Sequence, residues 1–314
     1  MKAVVYHQFG NTNVLQMVEQ PKPGIRPDQI LIQVKAFSIN PMDWKIRKGE
    51  MTLMSGSKFP KRTGTDLSGI IAGIGAEVRG LKVGDEVFGV VQNIMKEGVS
   101  AEYITLPASL VWKKPKNLSF AQAAAIPVAG TAAVTALEKM GNIGTQTKIL
   151  INGATGSFGM FLLQLLRPKG ADVTAVTGSK GTTYAKDWGA ATVIDYTAEN
   201  VLTSKETYDI VIDLSGKMGY QKAKPIMNPK AVFLNATPKP IEIPGSLLNN
   251  LFTGKKHQVI LSAPSTKYTN MLLDAINSGL EIEIHKVFPF SEYQQAYEYA
   301  ERGGYVGKIV VEIA

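Results

Sequence analysis

Apolar and polar positions alternate with a short period through the first 118 residues. Runs rich in β-branched or alternating side chains occupy residues 3–6, 15–18, 30–36, 70–74, 87–91 and 102–106. Turn formers separate them at Pro21-Lys22-Pro23-Gly24, Asn40-Pro41, Gly64, Gly80 and Val83-Gly84-Asp85. Several short strands at close spacing predict a small barrel or sandwich. Near Ser119 the pattern changes. Ser119 suits the N-cap of an alanine-rich helix or helix pair over 120–140, closed by Gly141.

From Lys148 the period switches between strand and helix. Residues 148–152 read as a buried strand and 157–166 as a helix. A second strand is expected at 172–177, a short helix at 183–188 and a third strand at 192–195. Further strands are expected at 209–214, 231–236 and 258–261. Strands interleaved with helices predict a parallel sheet with both faces covered. An amphipathic helix over 268–280 follows, then a strand at 282–288, a helix at 292–302 and a last strand at 308–313. Chain termini tend to lie close together, so this tail is expected to complete the first unit.

Composition sharpens this picture. A length of 314 residues fits two domains of about 100–200 residues each. With 45% hydrophobic residues, wholesale disorder is excluded. The chain has no cysteine, which excludes disulfides, a thiolate nucleophile, an iron–sulfur cluster and thiolate-bound zinc. His7, His257 and His285 lack the spacing of a metal site, so no metal is expected.

The net charge is +8 and the pI about 9.3, values compatible with nucleic acid, an anionic membrane or a phosphorylated ligand. The basic residues are scattered, however, as in Lys113-Lys114-Pro115-Lys116 and Lys255-Lys256. Solvated faces account for most of them, so neither nucleic acid nor a membrane is an expected partner. Residues 121–137 are interrupted by Gln122, Pro127 and Gly130, which argues for a buried helix over a membrane span. The N-terminus carries only a four-residue apolar run, short of a signal-peptide core, so a cytoplasmic location is expected.

The most informative local feature is Gly153-Ala154-Thr155-Gly156-Ser157-Phe158-Gly159, lying between a strand and a helix. That context is what a dinucleotide-binding turn requires, although Ala154 stands where the first glycine of G-x-G-x-x-G belongs. Gly156 would let the backbone approach a pyrophosphate, and Gly159 would let the helix pack on the strand. The amides of Ser157 and Phe158 would face the phosphates from a helix N-terminus. About 20 residues on, where an NAD enzyme places an acid on the ribose, the chain has Gly178-Ser179-Lys180-Gly181. A hydroxyl and a lysine suit a 2′-phosphate, so NADPH is the expected cofactor. Tyr196, after the third strand, is a plausible neighbour on the adenosine side. Asp66, Asp85 and Glu86 read as structural carboxylates.

Several ordered segments together resemble the zinc-independent quinone oxidoreductases, the zeta-crystallin-like branch of the medium-chain dehydrogenase/reductases. They are Phe37-Ser38-Ile39-Asn40-Pro41-Met42-Asp43, Gly64-Thr65-Asp66-Leu67-Ser68-Gly69, Val83-Gly84-Asp85-Glu86-Val87-Phe88-Gly89 and Ala101-Glu102-Tyr103. Ala123-Ala124-Ala125-Ile126-Pro127, Gly130-Thr131-Ala132-Ala133, the glycine turn and Gly307-Lys308-Ile309-Val310-Val311 complete the set. The resemblance implies an α/β protein: a GroES-like β-barrel catalytic domain over 1–122 and 265–314, and a Rossmann parallel-sheet cofactor domain over 123–264.

It further implies hydride transfer from NADPH to a quinone or an α,β-unsaturated carbonyl, without zinc, in a homodimer. Asn40 and Asp43 would stand at the catalytic end. Asn40, Thr131 and Lys308 would join Gly153, Ala154, Gly156, Ser157, Phe158, Gly159, Ser179, Lys180 and Tyr196 around the cofactor. Where quinone reductases carry tyrosines after the Asn-Pro turn, this chain has Trp44, Lys45 and Met51. The same residues leave open a non-catalytic NADPH-binding protein or an alcohol dehydrogenase-like enzyme on this scaffold.

Overall fold

The computed structural model describes residues 1–238 and 242–314. The chain begins with β1 (Lys2–Tyr6), β2 (Gln16–Glu19) and the long β3 (Gln29–Ser38). Helices α1 (Pro41–Arg47) and α2 (Thr52–Ser55) lead into β4 (Lys61–Arg62) and β5 (Asp66–Ile74). The strands β6 (Glu86–Val90), β7 (Tyr103–Pro107) and β8 (Val111–Lys113) follow. Buried and half-buried positions alternate along β3, as they must in a strand with one face on a core.

The alanine-rich stretch is two helices, α3 (Phe120–Ala124) and α4 (Pro127–Met140). The break has a local cause. Proline at the second helix's first position brings no N–H, so the hydrogen-bond ladder of α3 cannot run on through it. Ser119 caps α3 reciprocally with Gln122, each side chain accepting from the other's backbone N–H.

The nucleotide half runs β9 (Lys148–Asn152), α5 (Ser157–Leu166), β10 (Asp172–Thr177), α6 (Thr182–Asp187) and β11 (Thr192–Asp195). It continues with β12 (Tyr208–Asp213), α7 (Tyr220–Ala223), β13 (Met227–Asn235), α8 (Glu242–Phe252) and β14 (Lys256–Val259). These strands form one parallel sheet in the order β11-β10-β9-β12-β13-β14. Strand order reverses on either side of β9, and a ligand crevice belongs at the carboxyl end of that strand. Strand β14 lies two residues earlier than the hydropathy pattern suggests, because Lys256–Val259 pairs with residues 232–235.

Helix α9 (Thr266–Asn277) places Leu272 and Ile276 in the same core as α4 and α5. The chain then returns to the barrel through β15 (Ile284–Pro289), α10 (Tyr293–Arg302) and β16 (Lys308–Glu312). Strand β16 pairs antiparallel with β3, giving the sheet order β15-β16-β3-β5-β6-β8 with β7 also on β3. Lys308 is the first residue of β16, the strand that joins this tail to β3 of the barrel sheet. Among the described residues, no helix is long and apolar enough to cross a membrane.

Candidate active site at the seam of the two halves

The glycine turn meets its steric requirements in a graded way. Gly153 has φ +83°, a conformation that side-chain-bearing residues rarely adopt. A Cβ on Gly159 would stand 2.2 Å from the Ala154 carbonyl oxygen, so only glycine lets α5 sit this close to the strand. A Cβ on Gly156 would meet nothing nearer than 3.6 Å. Gly156 is therefore free of any steric demand from the protein, leaving room on the crevice side. Ser157 and Phe158 form the first turn of α5, where backbone N–H groups have no helical acceptor.

Ala154 lies beneath the turn. It is fully buried, and its N–H donates to the Val176 carbonyl at 3.0 Å. Its role is to seat the turn on β10.

The far end of the crevice gathers the other residues expected at the cofactor. Ser179 and Lys180 are exposed just beyond β10. The ring of Tyr196 lies against Gly178, where an added Cβ would stand 3.1 Å from its hydroxyl. Parallel pairing of β10 with β11 brings these groups together across 16 residues of sequence. Residues 177–181 carry no carboxylate; Asp195, opposite Thr177 at the end of β11, accepts from the Thr197 N–H and hydroxyl.

Residues 155–156 also join the two halves. The Thr155 carbonyl accepts the Gly307 N–H at 2.9 Å, and Gly156 and Gly307 form an isolated parallel bridge. From that contact Lys308 reaches into a buried polar cluster at the ends of β3 and β5. Its Nζ donates to Asn40 Oδ1 at 2.5 Å and lies 3.8 Å from Asp66 Oδ2. Asn40 Nδ2 donates to Asp66 Oδ2 at 2.9 Å and to Thr65 Oγ1 at 3.0 Å. Ser38 Oγ donates to Asp66 Oδ2 at 2.9 Å, and Val128 N at the start of α4 donates to Asp66 Oδ1 at 3.1 Å.

This arrangement fixes the Asn40 amide in one orientation. Turned over, its nitrogen would face the Lys308 ammonium and its oxygen the Asp66 carboxylate. Both amide hydrogens are engaged, so Asn40 has no N–H left for a substrate oxygen. The donor with spare capacity is Lys308, whose ammonium carries three hydrogens.

Electrostatics separate the two acids. Burial pushes Asp66 up, against the opposing pull of Lys308, Asn40, Ser38 and the Val128 amide. Burial draws Lys308 down, against the two carboxylates Asp66 and Asp43. One ammonium balances one carboxylate, and Asp66 holds the surrounding donors. Asp43 is pushed up to about 7, chiefly by burial, while the Asn40 backbone N–H pulls it back. Its Oδ2 accepts that N–H at 2.7 Å, which starts α1 where the Asn-Pro pair had suggested a turn.

Thr131 lies one turn into α4, the helix whose first amides face Asp66. Its hydroxyl donates to the Pro127 carbonyl of its own helix and is buried there. Ser38, Thr65 and Asp66 join the site without standing out in the sequence, where Asp66 reads as structural. An acid heading the largely apolar strand Asp66–Ile74 is the available signal.

A parallel nucleotide sheet and a barrel that share one buried charged seam define a dehydrogenase/reductase of two domains. Residues 26–116 match the alcohol dehydrogenase GroES-like domain, and residues 188–311 match the zinc-binding dehydrogenase domain. The chain is 31% identical over 326 residues to a chloroplastic quinone-oxidoreductase homolog of Spinacia oleracea, covering 99% of this chain and 98% of the relative. It is 32% identical over 320 residues to a chloroplastic NADPH-dependent alkenal/one oxidoreductase of Arabidopsis thaliana, covering 99% and 79%. The solved quinone oxidoreductase of Coxiella burnetii superposes with a TM-score of 0.90 at 28% identity, covering 100% and 99% of the two chains. The chain belongs to the quinone oxidoreductase family of the medium-chain dehydrogenase/reductases.

The zinc of the second domain's description does not suit the residues of this chain. There is no cysteine, and no three His, Cys, Asp or Glu side chains gather among the described residues. At the seam, the cation beside Asp66 is the Lys308 ammonium.

Proposed function

We propose that the chain is an NADPH-dependent reductase of quinones and α,β-unsaturated carbonyls. The observation that carries this reading is Lys308, tied through Gly307 to the phosphate turn and through its ammonium to Asn40. The turn suits a dinucleotide: Gly156 leaves its crevice side open, and Ser157 and Phe158 present first-turn amides to a pyrophosphate. Ser179 and Lys180 would hold a 2′-phosphate, with Tyr196 on the adenosine side. The names of the spinach and Arabidopsis relatives support the acceptor class.

NADPH, when bound, supplies the hydride for the electron-poor carbon of the acceptor. Negative charge then develops on the acceptor's carbonyl oxygen, and a fixed donor there lowers the barrier. Lys308 is that donor. Asn40 and Asp66 hold its ammonium in place before the reaction, so little reorganisation accompanies the charge shift. Thr65 and Ser38 complete the support without contacting the cofactor turn.

The test follows NADPH absorbance with naphthoquinones, enones and alkenals, run with NADH in parallel. Consumption of NADPH with at least one of these classes is expected. Tight NADPH binding with no consumption would favour a non-catalytic binding protein. Lys180→Ala is expected to raise the KM for NADPH by about 10- to 100-fold, the worth of a charge-assisted hydrogen bond of about 1.5–3 kcal/mol. The KM for NADH should stay unchanged; an equal loss for both cofactors would remove Lys180 from the 2′-phosphate site.

A further inference from the structure

Asp43 does more than start a helix. Its Oδ2 takes the Asn40 N–H, but Oδ1 is buried without a hydrogen-bond partner. Leaving such an acceptor unsatisfied costs roughly 1–3 kcal/mol, more for a charged group. A helix cap alone does not account for it. Asp43 lines a small cavity with room for about one water molecule. Arg62 lines the same cavity, and its Nη1 is likewise buried and unpartnered. One water could accept from the guanidinium and donate to the carboxylate, satisfying both.

The cavity sits behind the site. All its lining residues belong to the first hundred, so it lies on the barrel side of Asn40. Asn40 stands between the two environments: its side chain binds Lys308, and its backbone N–H binds Asp43. Thr65 touches both, since it lines the cavity and its hydroxyl oxygen accepts from the Asn40 amide. The Thr65 hydroxyl proton is free to move on.

We propose that this cavity is the proton entry of the reductase, with Asp43 as its reservoir and Thr65 as the link to the acceptor's oxygen. The inference rests on the reductase reading above. In each turnover the two electrons arrive with the hydride, and one proton leaves the Asp43 carboxyl. It passes through the cavity water to Thr65 Oγ1 as the Thr65 hydroxyl proton bonds to the acceptor's oxygen. The carboxylate left behind is reprotonated from bulk solvent through the same cavity.

The charges around Asp43 are consistent with a reservoir. Arg47 on α1 and Lys308 on β16 favour its ionised form, and Asp66 on β5 opposes it. Tyr6 on β1 and Tyr297 on α10 are raised chiefly by burial, with the Asp43 charge adding to it. Lys61, Arg62, Lys96 and Glu97 stand around the cavity. Burial outweighs the cations and pushes the carboxyl up to about 7, so it holds a proton below neutrality and loses it above. Turnover should therefore fall on the alkaline side of about pH 7.

Asp43→Asn and Thr65→Val test this in the full chain. Infrared spectra taken between about pH 5 and 9 should show a protonated carboxyl that titrates near neutrality. Asp43→Asn should abolish that band and Thr65→Val should keep it. Both should lower kcat by about 100-fold, and Asp43→Asn should also remove the alkaline limb. NADPH affinity, read by fluorescence, should remain within about twofold, the mark of a site remote from the cofactor turn. Absence of a band that Asp43→Asn removes would overturn the proposal. So would an Asp43→Asn enzyme with the wild-type pH profile. A wild-type protein that consumes no NADPH with any quinone, enone or alkenal would instead overturn the reductase reading, and this inference with it.

Discussion

Lys308→Met should lower kcat by about 100- to 1000-fold, the usual consequence of removing one preorganised donor from a developing oxyanion. It should also destabilise the protein by about 3–5 kcal/mol, because the Asp66 carboxylate would remain buried without its cation. The side chains of Lys308 and Asp66 are 1% and 0% exposed, so the stranded carboxylate keeps its full desolvation penalty. The two effects separate in the double variant Lys308→Met/Asp66→Asn. An uncharged amide can still meet Ser38 and Val128, so most of the stability should return in urea titrations at neutral pH. Turnover should not return. The stability loss of the single variant should shrink as pH falls, since the stranded Asp66, already raised by burial, then takes up a proton. A Lys308→Met enzyme with wild-type kcat would remove the ammonium from the chemistry and leave it a structural ion pair.

The two regions of this site were unequally legible in the amino-acid sequence, for a physical reason. The cofactor turn is local. Its demands are a positive φ at Gly153 and a close helix–strand approach at Gly159, and both fall within seven residues. Lys180 and Tyr196 were also within reach, because parallel strands of regular register bring successive strand ends together.

The seam is not local. Lys308 and Asn40 are 268 residues apart, and nothing in either segment names the other. Ser38 and Asp66 meet only through the antiparallel pairing of β3 with β5. The family resemblance marked Asn40 and Lys308 without showing that they touch. Asn40-Pro41 was ambiguous by chemistry, since asparagine before proline starts a turn as readily as a helix. Burial of Asp43, whose Oδ2 holds the Asn40 N–H, decides for the helix. Ala154 occupies a motif position, yet its N–H is held by β10, a bond that spacing cannot reveal.

The glycine turn yields a pair of substitutions that should behave oppositely. Gly159→Ala places a methyl carbon 2.2 Å from the Ala154 carbonyl oxygen, which is backbone and cannot rotate away. The helix would have to lift off the strand, an overpacking cost of about 1–3 kcal/mol. Alanine's better helix propensity returns about 1 kcal/mol of that. A lower melting temperature and weaker cofactor binding should appear together, since moving α5 also moves the amides of Ser157 and Phe158.

Gly156→Ala should do the reverse. Its φ of −71° is ordinary for any residue, and the nearest heavy atom to a new Cβ is 3.6 Å away. Stability should change by no more than about 1 kcal/mol, the scale of an altered N-cap. The added methyl would stand where a pyrophosphate must approach the backbone, so NADPH affinity should fall at least about tenfold, or about 1.4 kcal/mol. Calorimetry for binding and thermal melts for stability read the two effects separately. Wild-type NADPH affinity in Gly156→Ala would mean that this turn does not cradle the phosphates, and the cofactor would have to lie elsewhere along the crevice.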